Sequence, residues 1–297
     1  MAVQAGARSL CCLPGKPMST CLSALVDKLP VHHPAATMPA LPNLATCKKL
    51  GFIVPSSNTA VEPLTTALLA SLPSTANIIP LFTRIRVKTV GTDPASTAQF
   101  STETMVAAAQ LLADAEVDAI LWNGTSGMWT GAGLDAEREL ARAMEDATGV
   151  PCSTTTLATV AALEQLKVKG LGIATPYARD LALRVEAFFE GTGHEWCVEG
   201  RNRDAHSPSA PATNLENAKQ SAEVIRASSM EAAGEGVQAV IVGCTNWPAA
   251  GLIEVVEAEM RPGVTIVDSV VVTVWRGLRM VGYTQLVEGW GRMMREI

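Results

Sequence analysis

A chain of 297 residues with 48% apolar side chains can bury one large core or two modest ones, and its net charge of −6 gives no support for binding nucleic acid or an anionic membrane. No apolar run reaches the roughly 18 residues that a membrane-spanning helix needs. The seven cysteines (Cys11, Cys12, Cys21, Cys47, Cys152, Cys197, Cys244) form no CxxC pair and no zinc spacing with His32, His33, His194 and His206, so they read as reduced thiols and the histidines as exposed.

Residues 1–46 are rich in Pro, Ala, Ser and Cys, with Asp27 as their only acid, and read as an irregular leader with at most a helical turn over 23–29. Scarcity of acid suits organelle import, but Arg8 is the leader's one arginine, so a cytoplasmic protein is the reading taken. Residues 49–54 form the first strand. Pro55-Ser56-Ser57-Asn58-Thr59 is then a polar turn at the strand's carboxyl end, where open parallel sheets bind ligands. A helix follows over 60–71, and Ser56, Ser57 and Asn58 serve either as its caps or as ligand contacts. Residues 78–86 are the second strand, with Arg84 and Arg86 on one solvated face.

A helix over 102–115 leads into a strand beginning at Val117. Residues 123–133 are a turn of small and polar residues that lacks both the GxGxxG and the Walker spacings, so no nucleotide phosphate site is indicated. A helix over 134–147 and a strand over 150–154 follow, and a helix over 157–166 crosses to a second half. There the pattern restarts: strand 170–174, the turn Thr175-Pro176-Tyr177, helix 180–189, strand 195–200 and a loop over 205–213 that edges the cleft or covers it. Thr213-Asn214-Leu215-Glu216 has capping-box spacing. A helix over 217–233, a strand over 237–242, a helix over 249–259, a strand over 264–267 and a C-terminal helix over 269–281 complete the chain. Thr245 or Asn246 is expected to cap the helix after Cys244, with Pro248 as its first residue.

Three landmarks recur in one order. Leu50 to Pro55 matches Leu171 to Pro176, and Val117 to Ser126 superimposes on Val237 to Asn246 so that Gly124 falls opposite Cys244 and Thr125 opposite Thr245. Gly149-Val150-Pro151 echoes Gly263-Val264-Thr265. The spacing between the first two landmarks is roughly 70 residues in both halves, which suits a duplicated α/β half-domain rather than a solenoid. The fold expected is α/β: a leader over 1–46, then two pseudo-symmetric half-domains over 47–156 and 157–297. Each is a parallel sheet flanked by helices, the active site lies in the cleft between them, and the last helix is free to pack back on the first half.

Such halves would set Gly124 and Cys244 on opposite walls. Two facing thiols permit proton removal on one side and return on the other, whereas one thiol permits a single, one-sided delivery. A helix N-terminus beyond Cys244 would favour a thiolate, and an adjacent dianion a thiol. Trp129 and Trp247 are candidates for an apolar wall. A buried, inert Cys244 is the plain alternative.

Pro55-Ser56-Ser57-Asn58-Thr59, Gly124-Thr125-Ser126, Thr175-Pro176-Tyr177, Asn214-Leu215-Glu216 and Gly243-Cys244-Thr245-Asn246 together resemble the aspartate/glutamate racemase superfamily, in the branch of maleate cis–trans isomerase and arylmalonate decarboxylase. The resemblance covers residue 49 to the C-terminus. It implies a cofactor-free, metal-free enzyme acting on a small dicarboxylate at the carbon next to a carboxylate, with a homo-oligomer allowed. Asn58, Tyr177 and Asn214 match carboxylate-binding positions of the isomerase. Thr125, Ser126 and Tyr177 match hydroxyls that hold an enediolate in the decarboxylase, and Cys244 matches the second-half cysteine of both. Gly124 departs from the isomerase and racemases and agrees with the decarboxylase; Gly124 and Thr245 complete the expected substrate contacts. The leading expectation is decarboxylation of a substituted malonate with Cys244 as proton donor. A maleate-type isomerase or an amino-acid or hydantoin-type racemase is the alternative, and a non-catalytic small-acid binder the third.

Overall fold

Among the described residues, eight short strands form two separate four-stranded parallel sheets with the same connectivity. In the first, β1 (Lys48–Pro55), β2 (Ile78–Ile85), β3 (Ala119–Trp122) and β4 (Cys152–Thr154) lie in the order β2-β1-β3-β4. In the second, β5 (Gly170–Ala174), β6 (Cys197–Arg201), β7 (Ala239–Val242) and β8 (Thr265–Asp268) lie in the order β6-β5-β7-β8. The inner strands β3, β5 and β7 and the edge strand β8 are buried along their whole length, as apolar runs covered on both faces must be, while the opposite edge strands β2 and β6 are more exposed. The computed structural model describes residues 42–202 and 213–297, and Pro42–Ile297 make one compact unit. The expectations for the leader, for His32, His33 and His206 and for most of the 205–213 loop lie outside the described residues.

The helices are α1 (Val61–Ala70), α2 (Pro94–Ala98), α3 (Thr102–Ala113), α4 (Gly133–Thr148), α5 (Thr155–Leu166), α6 (Arg179–Glu190), α7 (Asn214–Asn217), α8 (Ala222–Ala232), α9 (Ile253–Glu259), α10 (Ser269–Met280) and α11 (Arg292–Glu296). Local chemistry sets most of their starts. Ser101, Thr154 and Ser221 accept from amides in the first turns of α3, α5 and α8, and Asp268 Oδ1 accepts from both Val270 and Val271. The expected single helix over 217–233 is therefore broken: α7 ends at Asn217 and Ser221 starts α8. The short helices α2 and α11 were not expected.

One hydrophobic cluster runs through both halves, joining Leu50, Phe52 and Leu121 of the first sheet to Ile173, Val240 and Ile266 of the second. The C-terminal helix α10 helps to make this continuity. A side chain at Gly277 would stand 3.1 Å from Leu121 and 3.2 Å from Leu50, so this helix packs back against the first sheet where a glycine permits close approach. Thr273 of the same helix bonds Thr155 Oγ1 at 2.7 Å. A second cluster, including Ile53, Ile85, Val87, Met105 and Trp122, fills the other face of the first sheet.

Candidate active site

Gly124 and Cys244 each stand two residues beyond the strand next to the lead strand of their half, β3 beside β1 and β7 beside β5. Ile53 pairs with Trp122 in one sheet and Ala174 with Val242 in the other, so the positions are equivalent in the fold as well as in the repeat. Both border one cavity. Asn58, Thr125, Ser126, Tyr177, Asn214 and Thr245 line it too, and the remaining wall is Pro55, Val87, Val90, Phe100, Trp122 and Trp129. The cavity is thus divided into a face of hydroxyls, amides and one thiol and a face of apolar and aromatic side chains. Cys244 and the seven residues expected as substrate contacts all stand around it.

Hydrogen bonds, two of them buried, knit the polar face across the two halves. Tyr177 Oη and Thr125 Oγ1 are 2.8 Å apart. Asn58 Nδ2 donates to Thr245 Oγ1 at 3.0 Å, and Asn214 Nδ2 donates to Ser57 Oγ at 2.9 Å. Each of these amides has a second N–H for a ligand. Asn58 also caps its own helix, its Oδ1 accepting from Ala60 and Val61 at 3.0 and 2.9 Å, so the cap weighed from the sequence is made by a residue that also lines the cavity. Ser57 bonds Asn214, while Ser56 Oγ accepts from Val87 N at 3.0 Å, outside the cavity lining. Arg84 is exposed and pairs with Glu62 at 2.7 Å, as a solvated strand face requires.

The turn after Cys244 differs from expectation. No helix opens at Pro248; a 3-10 turn spans Ala250–Leu252 and α9 begins at Ile253. Thr245 and Asn246 reach across the cleft instead of capping their own helix. Asn246 Oδ1 accepts from Thr59 N at 2.9 Å and Ala60 N at 3.2 Å, so it caps α1 of the other half, and its Nδ2 donates to Asn214 O. Cys244 therefore lacks the adjoining helix dipole that would lower its pKa. Burial pushes its thiol up to about 11, against the opposing pull of the Tyr177 hydroxyl and the Asn246 and Trp247 amides, and with a further rise from Asp268. The group is a thiol at neutral pH. Asn217 Nδ2 approaches its sulfur at 3.8 Å. Burial likewise raises Tyr177 well above the ordinary phenol value.

Of the two tryptophans expected as an apolar wall, Trp129 lines the cavity and Trp247 does not. Trp247 is fully buried and donates from Nε1 to Gln220 Oε1 at 2.9 Å, which explains why Gln220 sits in the break before α8. Trp122, Phe100, Val87, Val90 and Pro55 were missed. Their only signal was an aromatic residue two places before Gly124 and two valines, Val87 and Val90, in the segment just after the second strand. His194 is also not simply exposed: it stacks on Trp196 with ring centres 4.1 Å apart and bonds Glu164 at 2.8 Å. Among the described residues Cys47, Cys152, Cys197 and Cys244 are free thiols, no three His, Cys, Asp or Glu side chains gather as for a metal ion, and no helix is long and apolar enough to cross a membrane.

The family model described as arylmalonate decarboxylase matches residues 50–294. A maleate isomerase from Nocardia farcinica is 27% identical over 254 residues, covering 84% of this chain and 96% of that protein. Among solved structures, a variant of the Nocardia farcinica maleate cis-trans isomerase with a covalently bound succinylcysteine intermediate matches with a TM-score of 0.72 at 23% identity, over 85% of this chain and 100% of that one. A structure of arylmalonate decarboxylase matches with a TM-score of 0.65 at 23% identity, over 84% of this chain and 100% of that one. At these identities the structural likeness speaks for a shared fold of two parallel four-stranded sheets.

Proposed function

Because the chain belongs to the arylmalonate decarboxylase family, we propose that it is a cofactor-independent lyase that removes one carboxyl group from a substituted malonate or related small dicarboxylate. The observation that carries this reading is the asymmetry of the cavity: one protonated thiol, Cys244, on one wall, and at the equivalent place on the other only Gly124, with Trp122 packed over it.

In the proposed reaction one carboxylate is held by the hydroxyls of Thr125, Ser126 and Tyr177 and by the spare amide N–H of Asn58. The bond from the α-carbon to the other carboxylate breaks. Its electron pair moves into the held carboxylate, giving an enediolate, and carbon dioxide leaves. Donors already aimed at such developing charge are each worth about 3–4 kcal/mol. The apolar face of Val87, Val90, Phe100 and Trp129 solvates a departing carboxylate poorly, which favours loss of its charge. The Cys244 S–H then gives its proton to the carbon, and the resulting thiolate recovers one from solvent. A thiol held near 11 starts each cycle protonated, as a donor must be, and its conjugate base is strong enough to reprotonate readily.

A maleate-type cis–trans isomerase is the second reading. It is favoured by the Nocardia farcinica relative and by Asn58 and Asn214 at the cavity, but covalent attack on an alkene needs a thiolate, which the burial of Cys244 opposes. Proton NMR in deuterium oxide with a panel of malonates, maleate and amino acids separates the readings. Loss of one carboxylate with one deuterium gained at the α-carbon is the outcome expected. Conversion of maleate without loss of carbon dioxide would establish the isomerase instead, and binding without exchange the non-catalytic binder.

A further inference from the structure

We propose that Trp122 is a positioning residue of this site: its indole occupies the space that a side chain at 124 would need, and its N–H fixes the direction of the Ser126 hydroxyl. The first part is geometry alone. The second rests on the lyase reading, in which Ser126 holds a carboxylate.

Trp122 is the last residue of β3 and is fully buried, yet its ring borders the cavity. A β-carbon built on Gly124 would lie 2.3 Å from Trp122 Cζ2, 2.7 Å from Cε2 and 2.9 Å from Cη2. Carbon atoms in contact want about 3.5–4.0 Å, so any side chain at 124 must displace the ring. The ring has little freedom to yield. Phe100 packs on it with centroids 6.0 Å apart and is itself held edge-on against Trp129 at 5.5 Å. Ser126 Oγ ties down Nε1 at 3.1 Å. At the equivalent place in the second half, the last residue of β7 is Val242, which carries no ring, and there a side chain with sulfur is accommodated two residues on. The absent first thiol and the present indole are thus two sides of one packing choice.

The hydrogen bond has a chemical consequence. An indole N–H only donates, so Ser126 Oγ must accept from it. A hydroxyl has one proton, and with a lone pair engaged by Trp122 that proton is left to be donated. Ser126 borders the cavity, and the groups expected there are carboxylate oxygens, which only accept. Trp122 thereby biases Ser126 toward the polarity that an anion requires.

Two double-mutant cycles on the full chain test this. In the first, which needs no substrate, thermal unfolding is followed for Gly124→Ala, Trp122→Leu and the pair. Gly124→Ala alone is expected to lower Tm by several degrees or to abolish soluble protein, and to cost little in the Trp122→Leu background. An equal loss in both backgrounds would overturn the occupancy argument. In the second, kcat and KM for phenylmalonate are measured for Trp122→Phe, Ser126→Ala and the pair. Trp122→Phe is expected to lower kcat about ten-fold, with the pair no worse than Ser126→Ala alone, because one acts through the other. Effects that multiply would reduce Trp122 to a packing residue. If the parent leaves phenylmalonate untouched, the lyase reading is what fails; the second cycle is then read in Tm, where additive losses again overturn the positioning role.

Discussion

Cys244 combines burial, a raised pKa and a hydroxyl neighbour, and each bears on what the thiol can do. If it is the donor, Cys244→Ala should lower kcat by about 10²–10⁴-fold while leaving Tm within a few degrees, read by NMR turnover and thermal unfolding. A variant that folds and retains full rate would remove Cys244 from the chemistry. The pH profile follows from the same group. A proton donor works in its protonated form, so the rate should hold through neutral pH and fall only as pH rises toward about 11. A limb near pH 8 that disappears in the Cys244→Ala variant would contradict this environment for the sulfur. Of the residues that stand around the cavity, the repeat picked out 124, 125, 177, 244 and 245 by position, while Ser126 and Asn214 were legible as site residues only through the family resemblance. Trp122 and Phe100 were not, since an aromatic residue in or beside a strand reads as core until its ring is seen to lie over a glycine. Gly124→Cys, which would set a second thiol opposite Cys244, is expected to require Trp122→Leu beside it.

Among the elements, the turn after Cys244 departs furthest from local rules. Asn246-Trp247-Pro248 has the composition of a helix start, yet Asn246 caps α1 of the other half because its side chain meets the Thr59 amide and shares that of Ala60 with Asn58. A cap given to a distant segment leaves no trace in local sequence, whereas the caps at Ser101, Thr154 and Asp268 are local. Asn246→Ala should cost about 1–2 kcal/mol of stability in urea unfolding, more than an exposed asparagine would. A loss below a few tenths would deny the cross-cleft cap. Asp268 makes a second element-level prediction. Burial pushes its folded-state pKa up to about 7, above the 3.8 of a free carboxyl, although two amides at the start of α10 pull it down. Folding therefore favours the protonated form. The contribution is complete below about pH 4 and is lost as pH rises through 7, on the order of a few kcal/mol. Asp268→Asn should flatten the fall in stability between pH 5 and 8; an unchanged slope would mean that the carboxyl is solvated.

At the scale of the molecule, duplication explains why so much of the architecture was readable. Two runs of strand, turn and helix with matching landmarks gave two sheets of identical strand order, and buried apolar strands marked their parallel pairing. What duplication did not predict is the break between α7 and α8, which is set by Ser221 and by Gln220 reaching Trp247. Because one hydrophobic cluster joins both sheets and α10 packs on the first, the two halves should unfold together, in a single calorimetric transition over residues 42–297. Two resolved transitions would assign α10 a weaker role than its packing at Gly277 implies. The lopsided cleft is the whole-molecule feature on which function turns, and stereochemistry reports on it directly. A prochiral methyl-phenylmalonate should be decarboxylated in deuterium oxide to a product with one α-deuterium and a single handedness, because sulfur approaches from one side only. A racemic product, or conversion of maleate in place of loss of carbon dioxide, would contradict a one-thiol site that delivers its proton to one face.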